Sequence, residues 1–263
     1  MNTQTLHRGM VELLMKSIVG AVKFLLFFLV VMLYVLHHAI FLSVFPRSRY
    51  FNHYLLLATK QFAKFALIIL NVKILHPLDC HAKLRGLFIS NHVSYIDILV
   101  ILSHHPTFFI TSIEMKDSFF LGQLSQLALS IFVERRKSHR SQDAINGYIR
   151  EISKHLTSGH NVCFFPEGTT SNGLSVLPFK SPLFKAAQIT QSTVHLLALR
   201  YNKDQMDTIA WYGEMTFFNH FYNLCCLPKI EVELKHVSSS CIMPNTDLNE
   251  FVLLANTLIS QKI

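Results

Sequence analysis

Beyond Pro77 the chain alternates between short apolar runs and longer segments with helical spacing. Runs such as Gly86–Ser90 and Asn161–Phe165 have the length of buried strands, whereas Ser141 opens a helical pattern that ends at Gly159. Strands that alternate with helices predict an α/β domain built on a mostly parallel central sheet flanked by helices. Ligands on such sheets bind at the carboxyl ends of strands, so the residues that follow these apolar runs are the first candidates for a site.

The same pattern predicts the remaining elements of the domain. Further strands are expected at Thr107–Thr111, Ile131–Val133, Val194–Leu199 and Lys229–Val237, and further helices at Tyr95–Leu102, Ser181–Ile189 and Asp247–Ile259. Asp247 and Glu250 stand in capping-box spacing, which favours a helix start at that point.

The N-terminal part differs from the rest by its lack of charge. Phe24–Phe45 contains no Asp, Glu, Lys or Arg, and Ile18–Leu36 approaches the ~20 residues that a bilayer-spanning helix needs. Lys23, near one end of this segment, is expected to extend toward the membrane surface. A second apolar segment, His53–His76, carries Lys60 four residues before another lysine on one helical face, which favours an interfacial helix.

Charges around the first segment leave its orientation open. Arg8 and Lys16 precede it, and Arg47 and Arg49 follow it, so the positive-inside rule gives no direction. Both a full crossing and a hairpin that dips into one leaflet fit this arrangement. No small-x-small cleavage site follows the apolar run, which speaks against a cleaved signal peptide. We predict a membrane-anchoring helical pair in residues 1–76 and the α/β domain in residues 77–263.

Composition narrows the range of partners. The chain is 51% hydrophobic and has a net charge of +8, which favours membrane lipids and acidic carrier proteins. No basic run is interleaved with aromatic residues, so we predict no nucleic-acid partner. The cysteines are odd in number and lack C-x-x-C spacing, which predicts reduced thiols rather than disulfides or a zinc site. They are Cys80, Cys163, Cys225, Cys226 and Cys241.

A histidine and an aspartate follow the first strand of the domain, in the block Asn91–Asp97 (NHVSYID). If the helix begins near Ser94, the carboxylate of Asp97 can reach back to one imidazole nitrogen of His92. Such a carboxylate fixes the tautomer and leaves the other nitrogen to accept a proton from a substrate hydroxyl. The alternative is a histidine at a strand end whose aspartate only caps the helix.

A second block, Phe165–Ser171 (FPEGTTS), follows another apolar strand. Gly168 lets the backbone approach a ligand, and Thr169 adds a hydroxyl, while Glu167 can bind a substrate hydroxyl or a basic group. Arg135 ends the Ile131–Val133 strand and has the planar fork that suits phosphate or carboxylate. An ordinary strand-to-helix turn and a solvated arginine remain the alternatives.

Other chemistries fit the sequence less well. A serine hydrolase needs a nucleophile on a sharp elbow, but no G-x-S-x-G is present and Ser94 is too close to His92 along the chain. Cys163 lies inside a predicted buried strand. His104 and His105 are adjacent and cannot easily turn toward one ion, so we predict no metal site. The pattern favours direct attack by a hydroxyl that His92 deprotonates, without an acyl-enzyme.

Taken together, these residues resemble the glycerolipid (lysophospholipid) acyltransferase family. Its four blocks are N-H-x-x-x-x-D, a strand that ends in Arg, F-P-E-G-T and a later strand that usually contains Pro. Here they stand at Asn91–Asp97, Ile131–Arg135, Phe165–Ser171 and Val194–Tyr201, so the resemblance covers Leu84 to Tyr201. The first and third blocks are the specific ones.

The resemblance implies a fold, a reaction and roles for residues. It implies His92 as general base, Asp97 as its orienting partner, and Arg135 with Glu167, Gly168 and Thr169 as acceptor-binding residues. The implied reaction moves a fatty acyl group from a thioester of acyl carrier protein or coenzyme A to the free hydroxyl of a 1-acylglycerol-3-phosphate-type lysolipid. No further cofactor is implied. The expected location is the cytoplasmic face of a membrane, the bacterial inner membrane.

Two departures from the family pattern affect the acceptor. Thr170 stands where members that act on lysophosphatidic acid commonly have Arg, and Leu196 takes the usual place of Pro in the fourth block. The segments Thr169–Gly173 and Trp211–Gly213 look more like the lyso-ornithine lipid acyltransferase branch. A phospholipid transacylase and a non-catalytic lipid-binding protein are the remaining alternatives.

Overall fold

A computed structural model of the protein describes residues 3–45, 51–75, 84–135 and 141–263. Arg47, Arg49, Cys80 and the predicted domain boundary after residue 76 lie outside the described residues. The four described cysteines are free thiols.

Seven strands form one sheet in the described part of the chain. They are β1 (Val72–Leu75), β2 (Leu87–Ser90), β3 (Thr107–Ser112), β4 (Ile131–Val133), β5 (Asn161–Phe164), β6 (Thr193–Tyr201) and β7 (Ile230–Cys241). Their spatial order is β1-β7-β6-β2-β5-β3-β4, and every neighbouring pair is parallel except β6 and β7. The prediction of an α/β fold with a mostly parallel sheet is therefore confirmed.

Ten α-helices surround this sheet within the described ranges. They are α1 (Thr3–Val44), α2 (Phe51–Ile69), α3 (Ile96–His104), α4 (Ile113–Lys116), α5 (Leu121–Leu127), α6 (Gln142–Thr157), α7 (Lys185–Thr190), α8 (Met206–Ile209), α9 (Phe217–Cys225) and α10 (Leu248–Ser260). Side-chain caps open three of them: Ser112 accepts the N–H of Glu114 at α4, Ser141 accepts that of Ala144 at α6, and Asp247 accepts those of Asn249 and Glu250 at α10.

The strands bury both faces, and the two faces carry different helices. Phe88 packs toward α1, α2, α3 and α9, whereas its neighbours Leu87 and Ile89 pack toward α6, α7 and α10. This alternation follows from the two-residue repeat of a strand. The N-terminal helices therefore share one apolar core with the face of the sheet that carries α3 and α9.

α1 lies along the domain for much of its length. Phe27 contacts Phe62 of α2 and Phe221 of α9, with ring centroids 6.3 and 4.5 Å apart. A Cβ on Gly20 would lie 2.4 Å from Sγ of Cys226, so a larger residue would push the helix away. Gly9–Val44 is nonetheless long and apolar enough to cross a membrane, and 22% of its most apolar window is buried.

The prediction that Lys23 extends toward the membrane surface is wrong, because its side chain binds the protein. Lys60 also binds the protein, and the interfacial position of its helix stays a prediction. The Nζ of Lys23 donates to the carbonyls of Leu227 at 2.6 Å and Leu70 at 3.3 Å, beyond the ends of α9 and α2. The Nζ of Lys60 donates to the carbonyl of His104 at 2.7 Å, at the end of α3. Unsatisfied carbonyls at helix C-termini attract cations.

The predicted second apolar segment also divides differently. α2 ends at Ile69, Asn71 adopts φ of 54°, and Val72–Leu75 forms the edge strand β1 beside β7. Residues that the sequence grouped with the N-terminal helices therefore extend the sheet. The division into 1–76 and 77–263 remains a prediction, and its boundary falls where the structure gives no description.

Candidate active site

The first block turns sharply after β2 and is fixed to the neighbouring strand β6. The side chain of Asn91 donates through Nδ2 to the carbonyl of Leu199 at 2.9 Å and accepts the N–H of Leu199 at 2.8 Å. One amide thus satisfies both polar groups of a strand residue at the point where the chain leaves the sheet. It holds the backbone of His92 against β6.

His92 and Asp97 form the predicted pair. Nδ1 of His92 lies 2.8 Å from Oδ2 of Asp97, whose side chain is fully buried, whereas 12% of the His92 side chain is exposed. Nδ1 therefore carries the proton, and Nε2 on the opposite edge of the ring remains an acceptor toward the cavity that His92 lines. The ring stacks on Phe165 with centroids 3.8 Å apart and an interplanar angle of 5°.

Asp97 is held by further donors. Its Oδ2 accepts the N–H groups of Val93 at 2.7 Å and Ser94 at 2.9 Å, and its Oδ1 accepts the hydroxyl of Tyr201 at 2.5 Å. These bonds stabilise the carboxylate as an anion in a buried place. Asp97 lies in the first turn of α3 and also binds His92. It therefore does more than cap the helix, which was the alternative.

The protonation of His92 is set by opposing effects. Burial lowers its pKa, the hydrogen bond and charge of Asp97 raise it, and the charge of Arg135 lowers it. Burial is the largest of these effects, so the pKa of His92 lies below its usual value. A neutral imidazole at neutral pH is the form that a general base requires.

Glu167 has a different place from the one predicted. Its Oε1 accepts the N–H of His92 at 2.6 Å and its Oε2 accepts the N–H of Leu177 at 2.8 Å. The side chain is buried, and burial raises its pKa to about 7 against the effect of the two N–H donors. Both oxygens are therefore engaged by backbone, and the carboxylate ties the second block to the first.

Gly168 has the backbone freedom that was predicted, but its N–H is not available for a ligand. Its φ is 78°, and a Cβ would lie 2.3 Å from Nζ of Lys180. Its N–H donates to the carbonyl of Phe165 at 3.1 Å, and its own carbonyl accepts from Nη1 of Arg135 at 2.8 Å. Arg135 therefore fixes the loop and also lines the cavity.

Further backbone bonds that the sequence did not predict join the first block to the second block and to the segment between α8 and α9. The N–H of Ser171 donates to the carbonyl of His92 at 2.9 Å, and the N–H of Trp211 donates to that of Val93 at 3.0 Å. Asn91 and Tyr201 were inside the recognised blocks, but neither had an assigned role. The signal for Asn91 was its place before the histidine; nothing in the sequence paired Tyr201 with Asp97.

A cavity of about 710 Å³ begins at this site and extends toward the N-terminal helices. Its polar part is lined by His92, Ser112, Glu114, Arg135, Thr169 and Thr170. Its apolar part is lined by Phe27, Phe62, Leu102, Leu124, Phe217 and Phe221. An apolar channel that ends in a few polar groups fits a ligand with a long hydrocarbon chain and a polar head.

His104 and His105 lie away from this cavity. Nδ1 of His104 lies 3.0 Å from the carbonyl of Val100, and His105 stacks on Phe88 with centroids 5.1 Å apart. Each ring is thus engaged within its own part of the fold.

Comparison with known proteins agrees with this geometry. Residues 71–200 match the family model described as Acyltransferase. Over these residues, about half of the chain, the protein is similar to the acyltransferase family. A 1-acyl-sn-glycerol-3-phosphate acyltransferase of Neisseria gonorrhoeae is 41% identical over 112 residues, which are 43% of this chain and 42% of that protein.

Two further relatives extend the comparison. A lyso-ornithine lipid O-acyltransferase of Rhizobium meliloti is 32% identical over 184 residues, 64% of this chain and 61% of that protein. The matches thus span less than two thirds of these curated relatives. The crystal structure of the 1-acyl-sn-glycerophosphate acyltransferase PlsC from Thermotoga maritima shares the fold, with a TM-score of 0.65, 18% identity and coverage of 94% of this chain and 95% of that one.

Proposed function

We propose that this protein is a membrane-associated O-acyltransferase that transfers a fatty acyl group from a thioester to the free hydroxyl of a lysolipid. The observation that carries the proposal is the His92–Asp97 pair at the polar end of an apolar cavity. Similarity to the acyltransferase family and the names of both relatives support it.

In the proposed reaction the acceptor hydroxyl gives its proton to Nε2 of His92 as its oxygen attacks the thioester carbonyl. Asp97 stabilises the imidazolium that forms. The tetrahedral intermediate then expels the thiolate, which takes the proton from His92 and leaves as the free thiol of coenzyme A or acyl carrier protein. The ester product keeps the acyl group, so no acyl-enzyme is needed and no metal takes part.

We propose Arg135, Thr169 and Thr170 as the part of the cavity that binds the acceptor head. Arg135 is the one Lys or Arg side chain among the described residues that line the cavity, and Glu114 lies close enough to affect its pKa. The charges of these two groups nearly offset each other. A zwitterionic or uncharged head group therefore fits the polar end of the cavity better than a phosphate monoester with two negative charges.

This balance favours a lyso-ornithine-type lipid as a second candidate acceptor. The name of the Rhizobium relative supports that candidate, and the name of the Neisseria relative supports a 1-acylglycerol-3-phosphate. A direct comparison of the two acceptors decides between them.

The proposed seat in the membrane rests on a continuous apolar surface, which we call the aromatic face. It comprises Phe119, Phe218 and Tyr222 beside the open side of α1. Phe119 is 84% exposed, and its neighbour Phe120 packs on Phe28 and Phe218 with centroids 5.0 and 5.9 Å apart. Exposed aromatic rings next to an apolar helix suit the interfacial region of a bilayer. We place the site on the cytoplasmic face of a bacterial inner membrane, where acyl thioesters are made.

The direct test incubates the purified protein in lipid vesicles with a labelled acyl thioester and a panel of lysolipids. We expect a diacyl product whose mass identifies the acceptor. Product that forms without any thioester would indicate a transacylase. Absence of product with every lysolipid and with both coenzyme A and acyl carrier protein thioesters would indicate a lipid-binding protein without catalysis.

A further inference from the structure

We propose that Tyr201 positions the general base: its hydroxyl holds the outer oxygen of Asp97 and thereby sets the orientation and basicity of His92. This inference rests on the proposed acyl transfer and deepens it, because it adds a third side chain to the pair that the motif contains. Tyr201 is a positioning residue, since it acts through Asp97.

The two oxygens of Asp97 have separate partners. Oδ2 faces His92 and the N–H groups of Val93 and Ser94, whereas Oδ1 accepts the hydroxyl of Tyr201 at 2.5 Å. Asp97 is fully buried and Tyr201 is 3% exposed, so water does not replace this bond readily. The phenol holds the second oxygen, and together with the three donors to Oδ2 it prevents the carboxylate from turning about its Cβ–Cγ bond.

The fold places Tyr201 accurately relative to the pair. Tyr201 is the last residue of β6 and lies opposite Val232 of β7. Two residues earlier on the same strand, Leu199 makes both hydrogen bonds to Asn91, the residue before His92. One strand therefore holds the histidine loop at Leu199 and the carboxylate at Tyr201.

The direction of proton donation is fixed by the surroundings. Burial and the negative charge of Asp97 raise the pKa of Tyr201 far above its usual value. The phenol stays protonated throughout the working range of pH, so it donates to the carboxylate at all times.

The charged and titratable groups around His92 come from several elements. Asp97 comes from α3, Arg135 from the end of β4, Cys163 and Glu167 from β5 and its loop, and Tyr201 from β6. Among them, Tyr201 is a neutral hydrogen-bond donor, and its hydrogen bond draws part of the negative charge of Asp97 toward Oδ1. Its removal exposes the imidazolium to more of that charge, which raises the pKa of His92.

The test is Tyr201→Phe, which keeps the buried ring and removes the hydroxyl. We expect kcat to fall roughly tenfold with little change in either KM, because the base is less well oriented. The acid limb of the profile of kcat/KM against pH should move upward by roughly half a unit or more. Tyr54→Phe is the matched control: it removes a hydroxyl that lies 2.9 Å from Nε2 of His37 between α1 and α2, and its acid limb should stay in place.

A double-mutant cycle separates positioning from packing. If Tyr201 acts through Asp97, then Tyr201→Phe should cost little kcat when Asp97→Asn is already present. Equal losses in both backgrounds, or an acid limb that does not move, would overturn the inference. If His92→Ala itself keeps its activity, the proposed function fails instead, so the two failures are distinguishable.

Discussion

At the scale of single residues, the proposed chemistry requires His92 to be neutral when the acceptor binds. His92 stacks on Phe165 and binds Asp97, and the balance of burial, carboxylate and Arg135 leaves its pKa below the usual 6.5. The ionised carboxylate behind it cannot relax into water, because it is fully buried.

The pH dependence of kcat/KM follows from this balance. The active form is the neutral imidazole, so kcat/KM should fall as the pH drops through the pKa of His92, at a midpoint below 6.5. Because the charge of Arg135 lowers that pKa, Arg135→Gln should move the midpoint upward. A steady-state series from pH 5 to 8 measures both, and a midpoint above 6.5 in the wild-type protein would contradict the assignment.

Thr170 is expected to control which head the acceptor carries. Thr170→Arg adds a second cation to the polar end of the cavity and makes its charge positive. We expect kcat/KM for a 1-acylglycerol-3-phosphate to rise about tenfold relative to that for a lyso-ornithine lipid. Competition assays with both acceptors present measure the ratio. Thr190→Arg, on α7 at the opposite face of the sheet, is the control, and an equal effect from it would remove Thr170 from the acceptor site.

At the scale of elements, the site depends on loops held together by buried polar groups. Glu167 bonds the backbone at His92 and at Leu177, and Arg135 bonds the carbonyl of Gly168. These contacts join the carboxyl ends of β2, β4 and β5. The sheet therefore determines where the site lies, whereas these hydrogen bonds determine the shape of the site.

Removal of the Glu167 side chain should lower the free energy of unfolding, and the size of this loss should depend on pH. Glu167→Ala leaves two backbone N–H groups without their acceptor, which we expect to cost about 2 kcal/mol or more. The pKa of Glu167 is raised from 4.5 in the unfolded chain to about 7, so its contribution to stability is greatest below pH 4.5 and is lost as the pH rises through 7. The difference in free energy of unfolding between wild type and variant should therefore shrink over that range.

Glu231→Ala, in the same sheet, is a control whose loss of stability should have the opposite dependence on pH. Glu231 pairs with Lys229 at 2.5 Å, and this bond lowers its pKa, so the effect of Glu231→Ala should grow as the pH rises toward 4.5 and stay constant above it. Urea unfolding of both variants at a series of pH values checks this. A gap for Glu167→Ala that grows with pH would contradict the burial of its carboxylate.

The sequence could predict these elements only in part. Short apolar runs predicted the positions of β2, β4 and β5, and the spacing of the first block predicted the pairing of His92 with Asp97. The short helices α5 and α9 have no side-chain cap, and α4, which Ser112 caps, is only four residues long, so none of them shows a clear helical period in the sequence. The antiparallel direction of β7, the role of Glu167 and the bond from Tyr201 depend on contacts far apart in the chain, which local patterns do not contain.

At the scale of the whole molecule, the two faces of the sheet serve different surroundings. One core joins the sheet to α1, α2, α3 and α9 and surrounds the cavity, whereas the other packs α6, α7 and α10. Lys23 and Gly20 hold α1 against the first face. The proposed bilayer contact is therefore on the same side as the cavity, so that a lysolipid can reach His92 without crossing water.

Fluorescence can test which face touches the bilayer. Trp211 is the only tryptophan in the sequence, so Phe119→Trp and Phe218→Trp each add one reporter to the aromatic face. We expect lipids with brominated acyl chains to quench these reporters strongly, relative to the unsubstituted protein. Leu253→Trp, at an exposed position of α10 on the opposite face, is the matched control and should be quenched little. Equal quenching of all three variants would contradict the proposed contact between the aromatic face and the bilayer.

The central claim is that His92, oriented by Asp97, removes the proton from the acceptor hydroxyl. The most direct measurement is the rate of diacyl product formation by wild type, His92→Ala and Asp97→Asn in the same vesicles with a labelled acyl thioester. Removal of the base and of its partner should each lower kcat by roughly a hundredfold or more, while the wild-type fold is retained by circular dichroism. Acyl transfer at a near-normal rate by both variants would contradict the mechanism.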